Sequence, residues 1–157
     1  MKERALVMTE LKRILLAEDN ANDVELTLTA LQTNHLANEV VVTRDGADAL
    51  DYLYARGKYA DRRPGRPALL LLDLKMPKVD GIEVLRRVKS DPALRTMPVV
   101  IMTSSREEQD VVTSYDLGVN AYVVKPVAFA EFVSAVNLIG GFWAVLNEVP
   151  PAEYVRG

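Results

Sequence analysis

Side chains suited to binding a divalent metal ion or a phosphoryl group end or follow four of the five apolar runs in this chain. They are Glu18 and Asp19 after the first run, Asp73 after four leucines, Thr103 at the end of the fourth run and Lys125 after the fifth. A carboxylate can attack phosphorus to form an aspartyl phosphate, and the transferred group then needs cations and hydrogen-bond donors around its oxygens. These residue types predict a metal site that accepts a phosphoryl group.

Asp73 is the predicted nucleophile, because it ends the most apolar run. Neighbouring carboxylates repel one another. Mg²⁺ would neutralise them, since it binds one or two carboxylates, keeps several waters and accepts a phosphate oxygen; Mn²⁺ is the alternative ion. We expect Asp19 and Asp73 to bind the ion directly, Glu18 to bind it through water, and the backbone carbonyl of Lys75 to complete the protein ligands.

Two further side chains would serve the phosphoryl oxygens. Lys125 supplies a compact positive charge, and Thr103 supplies a hydroxyl donor. Taken singly, these candidates also fit ordinary structural roles: the acidic pair as a solvated pair or helix cap, Asp73 as a turn cap, and Lys125 as a surface lysine. Their joint occurrence at strand ends favours the site.

The elements that must position these residues alternate along the chain. Strands are predicted near residues 12–17, 39–43, 68–73, 98–103 and 121–125. Helical patterns cover residues 22–35, 46–56, 81–90 and 106–117, and a last helix follows the fifth strand. Continuously apolar strands are typical of a parallel sheet covered by helices on both faces. The pattern therefore predicts a doubly wound five-stranded α/β domain, whose strands bring the candidates to one edge.

Length and composition limit the classes of protein. The 157 residues suffice for one domain, which we expect over residues 12–140, between an extension at 1–11 and a second at 141–157 that continues the last helix. The net charge of −3 argues against a nucleic-acid partner. No cysteine is present, which excludes disulfides and thiol catalysis.

The N-terminus lacks the apolar stretch of a signal peptide, so a cytoplasmic location is predicted. Residues 126–147 carry a single charge, Glu131, and are long enough to cross a bilayer. Polar residues and the Gly140-Gly141 pair dilute the segment, however. We predict a buried helix there, and no membrane span.

The motifs resemble the receiver domain of two-component response regulators, the CheY-like fold. The resemblance is carried by the acidic pair, Asp73, Thr103 and Lys125-Pro126, together with the segments at residues 72–77, 80–81 and 116–122. It covers approximately residues 11–140. It implies the flavodoxin-like strand order 2-1-3-4-5 with helices on both faces.

The resemblance also implies residue roles. Asp73 would be the phosphoacceptor, and Thr103 with Tyr122 would be the conformational switch pair. A cis peptide is implied before Pro126, since proline tolerates that isomer at low cost. Ser104 is small enough to leave access for the phosphodonor, and it joins Thr103 and Lys125 among the phosphoryl-binding residues.

Two positions differ from many members of the family. Glu18 stands where many have aspartate, which should not prevent binding through water. Lys75 occupies the position, two residues after the acceptor, that tunes dephosphorylation in the family.

Two further segments narrow the expected partner. The basic loop at residues 57–67 and the Phe142-Trp143 pair resemble the stand-alone regulators paired with bacterial phytochrome-type histidine kinases. The phosphodonor would then be a sensor histidine kinase of the bacteriophytochrome type. We interpret the loop itself as solvated in preference to a docking loop.

Signal output is expected through protein contacts. The resemblance implies that phosphorylation alters the face formed by the helix at 106–117, the fifth strand and the last helix. Too few residues follow position 140 for an effector domain, which also favours output through protein contacts. The last helix and the segment after it are almost uncharged, which predicts a homodimer. Its predicted contact residues are Phe129, Phe132, Phe142 and Trp143.

Three other classes fit the sequence less well. A haloacid-type phosphatase would need a second acid where Lys75 stands, and this is the main alternative. A transcription factor would need a basic recognition helix after residue 140, where Arg156 is the one arginine. A flavin- or nucleotide-binding module would need a glycine-rich loop after the first strand. We therefore expect a switch that catalyses only its own phosphorylation and dephosphorylation.

Overall fold

The computed structural model describes residues 13–32, 39–104, 107, 108, 110, 117, 119 and 121–138. Its strands are Ile14–Ala17 (β1), Val40–Thr43 (β2), Leu69–Asp73 (β3), Val99–Thr103 (β4) and Tyr122–Val124 (β5). Its helices are Ala21–Gln32 (α1), Gly46–Leu53 (α2), Gly81–Ser90 (α3) and Phe129–Leu138 (α4). All five predicted strands are present. The helix predicted over 106–117 lies largely outside the described residues.

The sheet is parallel throughout, in the order β2-β1-β3-β4-β5. This confirms the doubly wound fold with its 2-1-3-4-5 order. The register pairs Ala17 with Leu72, and Asp73 with Met102. The acidic pair after β1 and the aspartate that ends β3 therefore emerge side by side at the carboxyl edge of the sheet.

Helices cover both faces of the sheet, because successive strand residues point to opposite sides. On one face Leu15, Leu70 and Leu72 pack with buried residues of α2 and α3. On the other, Ile14 and Leu16 pack with buried residues of α1 and α4. Each fully buried leucine contributes on the order of 2 kcal/mol, so the central strands form a rigid base for the edge.

A tight loop joins β3 to α3 and fixes the backbone next to Asp73. Asp80 caps α3 by accepting a hydrogen bond from the Glu83 N–H at 2.9 Å. The Gly81 N–H donates to the Leu74 carbonyl at 2.9 Å. A Cβ at position 81 would collide with the Asp73 carbonyl, so glycine is required where the helix approaches the strand end.

The basic loop at residues 57–67 is anchored rather than merely solvated. The guanidinium of Arg13, which is buried, donates to the carbonyls of Gly65 at 2.9 Å and Pro64 at 3.3 Å. Arg62 lies 4.4 Å from the centre of the Tyr52 ring and donates to the Tyr52 carbonyl at 2.6 Å. Two arginines thus hold the loop against the body of the domain.

Among the described residues, none of the helices combines the length and the apolar character that a membrane crossing requires.

Candidate functional site

Three carboxylates converge at the carboxyl edge of the sheet. Glu18, Asp19 and Asp73 each place an oxygen within 4.8 Å of the other two. Glu18 is 0% exposed and Asp73 is 3% exposed, whereas Asp19 lies at the surface. Buried carboxylates this close repel one another unless a cation or a proton intervenes. The donor set is all oxygen and is consistent with a divalent ion such as Mg²⁺ or Mn²⁺.

Lys125 reaches the same cluster from the end of β5. Its Nζ lies 3.0 Å from Glu18 Oε1, 3.3 Å from Asp73 Oδ1 and 3.3 Å from Asp23 Oδ2. Burial alone would lower the pKa of Lys125, but the surrounding carboxylates outweigh burial and raise the pKa. The ammonium therefore stays charged and partly neutralises the cluster.

Glu18 has an unusual protonation behaviour. Burial and then a hydrogen bond shared with the Asp73 carboxyl raise the pKa of Glu18 to about 7, against the opposing effects of the Asn20 N–H and of Lys125. In the metal-free protein near neutral pH, Glu18 therefore carries a proton part of the time. A bound cation would release that proton.

Thr103 lies at the end of β4, next to Lys125. The Lys125 N–H donates to the Thr103 carbonyl at 2.8 Å, so the two residues are joined through the backbone. Thr103 is fully buried, and its Oγ1 has no hydrogen-bond partner among the described residues. A buried hydroxyl in this condition costs about 1–3 kcal/mol. It is available to an acceptor that arrives at the site.

Ser104 and the side chain of Lys75 meet a residue that was not predicted from the sequence, Glu108. The Ser104 N–H donates to Glu108 Oε2 at 2.7 Å and the Ser104 hydroxyl donates to Oε1 at 3.0 Å. Lys75 Nζ lies 3.0 Å from the same Oε1. The one available signal was the acidic pair at positions 107 and 108, shortly after the strand end.

Asp23 is the second residue that was not predicted, and it contacts Lys125 from the first turn of α1. Its backbone N–H donates to Asn20 Oδ1 at 2.9 Å, so Asn20 caps that helix. An acid in the first turn of a helix that starts at the carboxyl edge was the signal in the sequence.

The remaining predicted residues are placed as follows. The Tyr122 side chain is half-buried, and its hydroxyl donates to the Val119 carbonyl at 3.2 Å. The Lys125–Pro126 peptide bond is cis. The Lys75 backbone lies two residues after Asp73, in the loop that Gly81 holds against the strand end.

One predicted contact residue is wrong. Phe132 was expected on a partner surface, but it is 0% exposed and packs in the core between α4 and the sheet. The reason is that it supplies the bulk that α4 needs to cover β4 and β5. Phe129 is half-buried, whereas Phe142 and Trp143 lie outside the described residues.

Comparison with known proteins gives a consistent family. The sequence profile of the response regulator receiver domain matches residues 14–137. Response regulator Rcp1 of Synechocystis sp. is 40% identical over 141 residues, which span 90% of this chain and 95% of that protein.

Solved structures agree. The bacteriophytochrome response regulator AtBRR is 63% identical with a TM-score of 0.84, covering 88% of this chain and 99% of that one. The Mn(2+)-bound form of Rcp1 is 41% identical with a TM-score of 0.67, covering 90% and 99%. The phosphorylated cyanobacterial phytochrome response regulator RcpA is 44% identical with a TM-score of 0.68, covering 87% and 99%.

Proposed function

We propose, from the premise that this chain belongs to the response regulator receiver family, that it accepts a phosphoryl group on Asp73 from a sensor histidine kinase and requires Mg²⁺ or Mn²⁺ to do so. The observation that carries the proposal is the meeting of Asp73 with two further carboxylates and Lys125 at one sheet edge. No comparison supports the alternative of a phosphatase acting on a separate substrate.

The metal ligands would be the carboxylates of Asp19 and Asp73, the carbonyl of Lys75, and Glu18 through water. When bound, the ion supplies positive charge to the phosphoryl oxygens. The cluster fits this role, because two of its carboxylates are buried and a single lysine is shared among them.

The protein's own residues then divide the work. A carboxylate oxygen of Asp73 forms the new bond to phosphorus while the bond between phosphorus and the donor breaks. Lys125 exchanges its contact with Asp73 for one with a phosphoryl oxygen. Thr103 offers the hydroxyl that has no partner among the described residues before phosphorylation.

The proposed donor is a bacteriophytochrome-type histidine kinase. Support comes from the similarity to AtBRR and to RcpA, which are named as phytochrome response regulators. We place the reaction in the cytoplasm, where ATP charges such kinases, and we assign it to a receiver unit at residues 12–140 that acts as a switch without turnover of other substrates.

The proposed output is a change of protein contacts. Thr103 and Tyr122 form the switch pair, and the surface that responds includes β5 and α4. Val124 is 46% exposed on that surface, and a groove of about 400 Å³ runs beside it. We propose a homodimer through this face with contributions from Phe129, Phe142 and Trp143.

The test is incubation with acetyl phosphate and Mg²⁺, followed by intact mass measurement. The expected result is one added phosphoryl group on the wild type. Neither Asp73→Asn nor the wild type in EDTA should gain it. Equal labelling of Asp73→Asn and wild type would overturn the proposal.

A further inference from the structure

We infer that the Glu108 carboxylate competes with the phosphoryl group at this site: in the unphosphorylated protein it occupies donors that a phosphoryl group on Asp73 would recruit. Phosphorylation then has to displace Glu108. The inference rests on the proposed function and adds a residue that competes with the phosphoryl group.

The contacts of Glu108 are those of a bound anion surrounded by hydrogen-bond donors. Its two carboxylate oxygens receive a backbone N–H, a hydroxyl and an ammonium: the N–H and Oγ–H of Ser104 at 2.7 and 3.0 Å, and Lys75 Nζ at 3.0 Å. Backbone N–H groups, hydroxyls and ammonium groups are also what phosphoryl oxygens require. The same donors thus fit either anion.

These contacts favour the ionised form of Glu108. Burial would raise the pKa of this carboxyl, but the hydrogen bonds from Ser104 and Lys75 outweigh burial and lower the pKa. Hydrogen bonds to an ionised carboxylate are about twice as strong as those between neutral groups. The ion pair with Lys75 adds little by itself, because the Lys75 side chain is 77% exposed.

The donors that hold Glu108 belong to the segments that follow Asp73 and Thr103. Glu108 and Lys75 line a pocket of about 200 Å³ with Leu74, the residue after Asp73. Ser104 follows Thr103 directly, and Thr103 Oγ1 is buried with no partner among the described residues. Asp73 pairs with Met102 in the sheet register, so Ser104 leaves β4 at the sheet edge where Asp73 ends β3, and its donors are held by Glu108.

A competitor of this kind lowers the apparent affinity for the phosphoryl group. If Glu108 occupies these donors most of the time, the arrangement that can bind the phosphoryl group is populated only in part. The apparent affinity for the phosphoryl group then falls by that fraction. Glu108→Gln removes the negative charge at nearly constant shape. Glu107→Gln is the matched control, since the neighbouring Glu107 is exposed.

The experiment is a calorimetric titration of the full chain with beryllium fluoride, a phosphoryl analogue, in Mg²⁺ buffer. Glu108→Gln should bind about tenfold more tightly than the wild type, the size expected from losing one charge-assisted competing contact. Glu107→Gln should bind like the wild type. Equal affinities of wild type and both variants would overturn the inference while leaving the proposed function intact. A wild type that binds no beryllium fluoride would overturn both.

A second measurement separates displacement from general charge repulsion. In the ¹⁵N-labelled apo protein, the Ser104 amide proton should move upfield in Glu108→Gln and, by a smaller amount, in Lys75→Gln, because Lys75 holds the carboxylate in place. Glu107→Gln should leave that resonance unchanged. If Glu108→Gln does not fold, Glu108→Asp takes its place: the shorter side chain should also release the Ser104 N–H, and an unmoved Ser104 resonance in that variant counts against the inference.

Discussion

The ammonium of Lys125 lies 3.3 Å from Asp73 Oδ1, on the carboxylate that we propose as phosphoacceptor. The same ammonium also contacts Glu18 and Asp23, so one cation is shared among three acids. The charge of Lys125 therefore opposes the binding of a metal cation and favours the binding of a phosphoryl group, so removing that charge should affect the two ligands in opposite directions.

Replacing Lys125 by methionine should show those opposite effects. Removing the cation makes the cluster more negative, so Mg²⁺ should bind up to about tenfold more tightly. Phosphorylation by acetyl phosphate should slow by at least about 100-fold, because the charge on the phosphoryl oxygens loses its partner. Calorimetry and timed mass measurement give the two quantities. Lys58→Met, on an exposed lysine paired with Asp48, is the control and should alter neither.

Replacing Thr103 by valine should stabilise the protein while removing its response. The change deletes a buried hydroxyl that has no partner among the described residues, so the free energy of unfolding should rise by about 1 kcal/mol. Tyr122 should then show no change in its resonances on beryllium fluoride addition. Thr43→Val, at the end of β2, provides the contrast: its hydroxyl donates to the Leu16 carbonyl at 3.1 Å, and the loss should destabilise by about 1 kcal/mol. Destabilisation by both changes in urea melts would contradict this account.

Glu18 predicts an unusual pH dependence in EDTA. Because the pKa of Glu18 is about 7 in the folded protein and ordinarily 4.5 in an unfolded chain, the folded state binds more protons across that window. The free energy of unfolding should therefore fall as pH rises from about 4.5 to 7 and then level off. Mg²⁺ should stabilise more strongly as pH rises, since it binds the ionised form.

The measurement is urea unfolding at several pH values for wild type and Glu18→Gln. The difference between the two isolates Glu18 from every other titrating group. A difference that stays constant across the window would show that Glu18 keeps its ordinary pKa.

Two phenylalanines on α4 should behave differently. Phe132→Ala should cost about 3–5 kcal/mol, because it empties a fully buried core position. Phe129→Ala, on a half-buried residue, should cost much less and should instead weaken self-association in analytical ultracentrifugation if the proposed homodimer uses this face. Equal losses of stability would mean that the two residues are equally buried.

The fold and the acidic site were predictable because both follow from short-range rules. Uninterrupted apolar runs predicted parallel strands, and parallel strands bring their carboxyl ends together. Glu18, Asp73 and Lys125 each follow or end a strand, and they therefore lie together at the carboxyl edge of the sheet.

The incorrect prediction for Phe132 and the missed role of Glu108 both depend on which side chains touch in the folded protein. Phe129 and Phe132 lie on the same helical stripe, and only the rotation of α4 against the sheet shows which is buried. Glu108 acts through contacts with Ser104 and Lys75, and the latter comes from another part of the chain. The periodicity of the sequence gives neither the rotation of α4 nor the contacts of Glu108.

The loop that Arg13 holds from within has its own consequence for recognition. The carbonyls of Pro64 and Gly65 already accept hydrogen bonds from guanidinium groups in the isolated chain. The loop backbone therefore has little conformational freedom. A protein that docks against this loop would bind a preorganised backbone. Little conformational entropy would then be lost on binding, because the segment is already ordered in the folded domain.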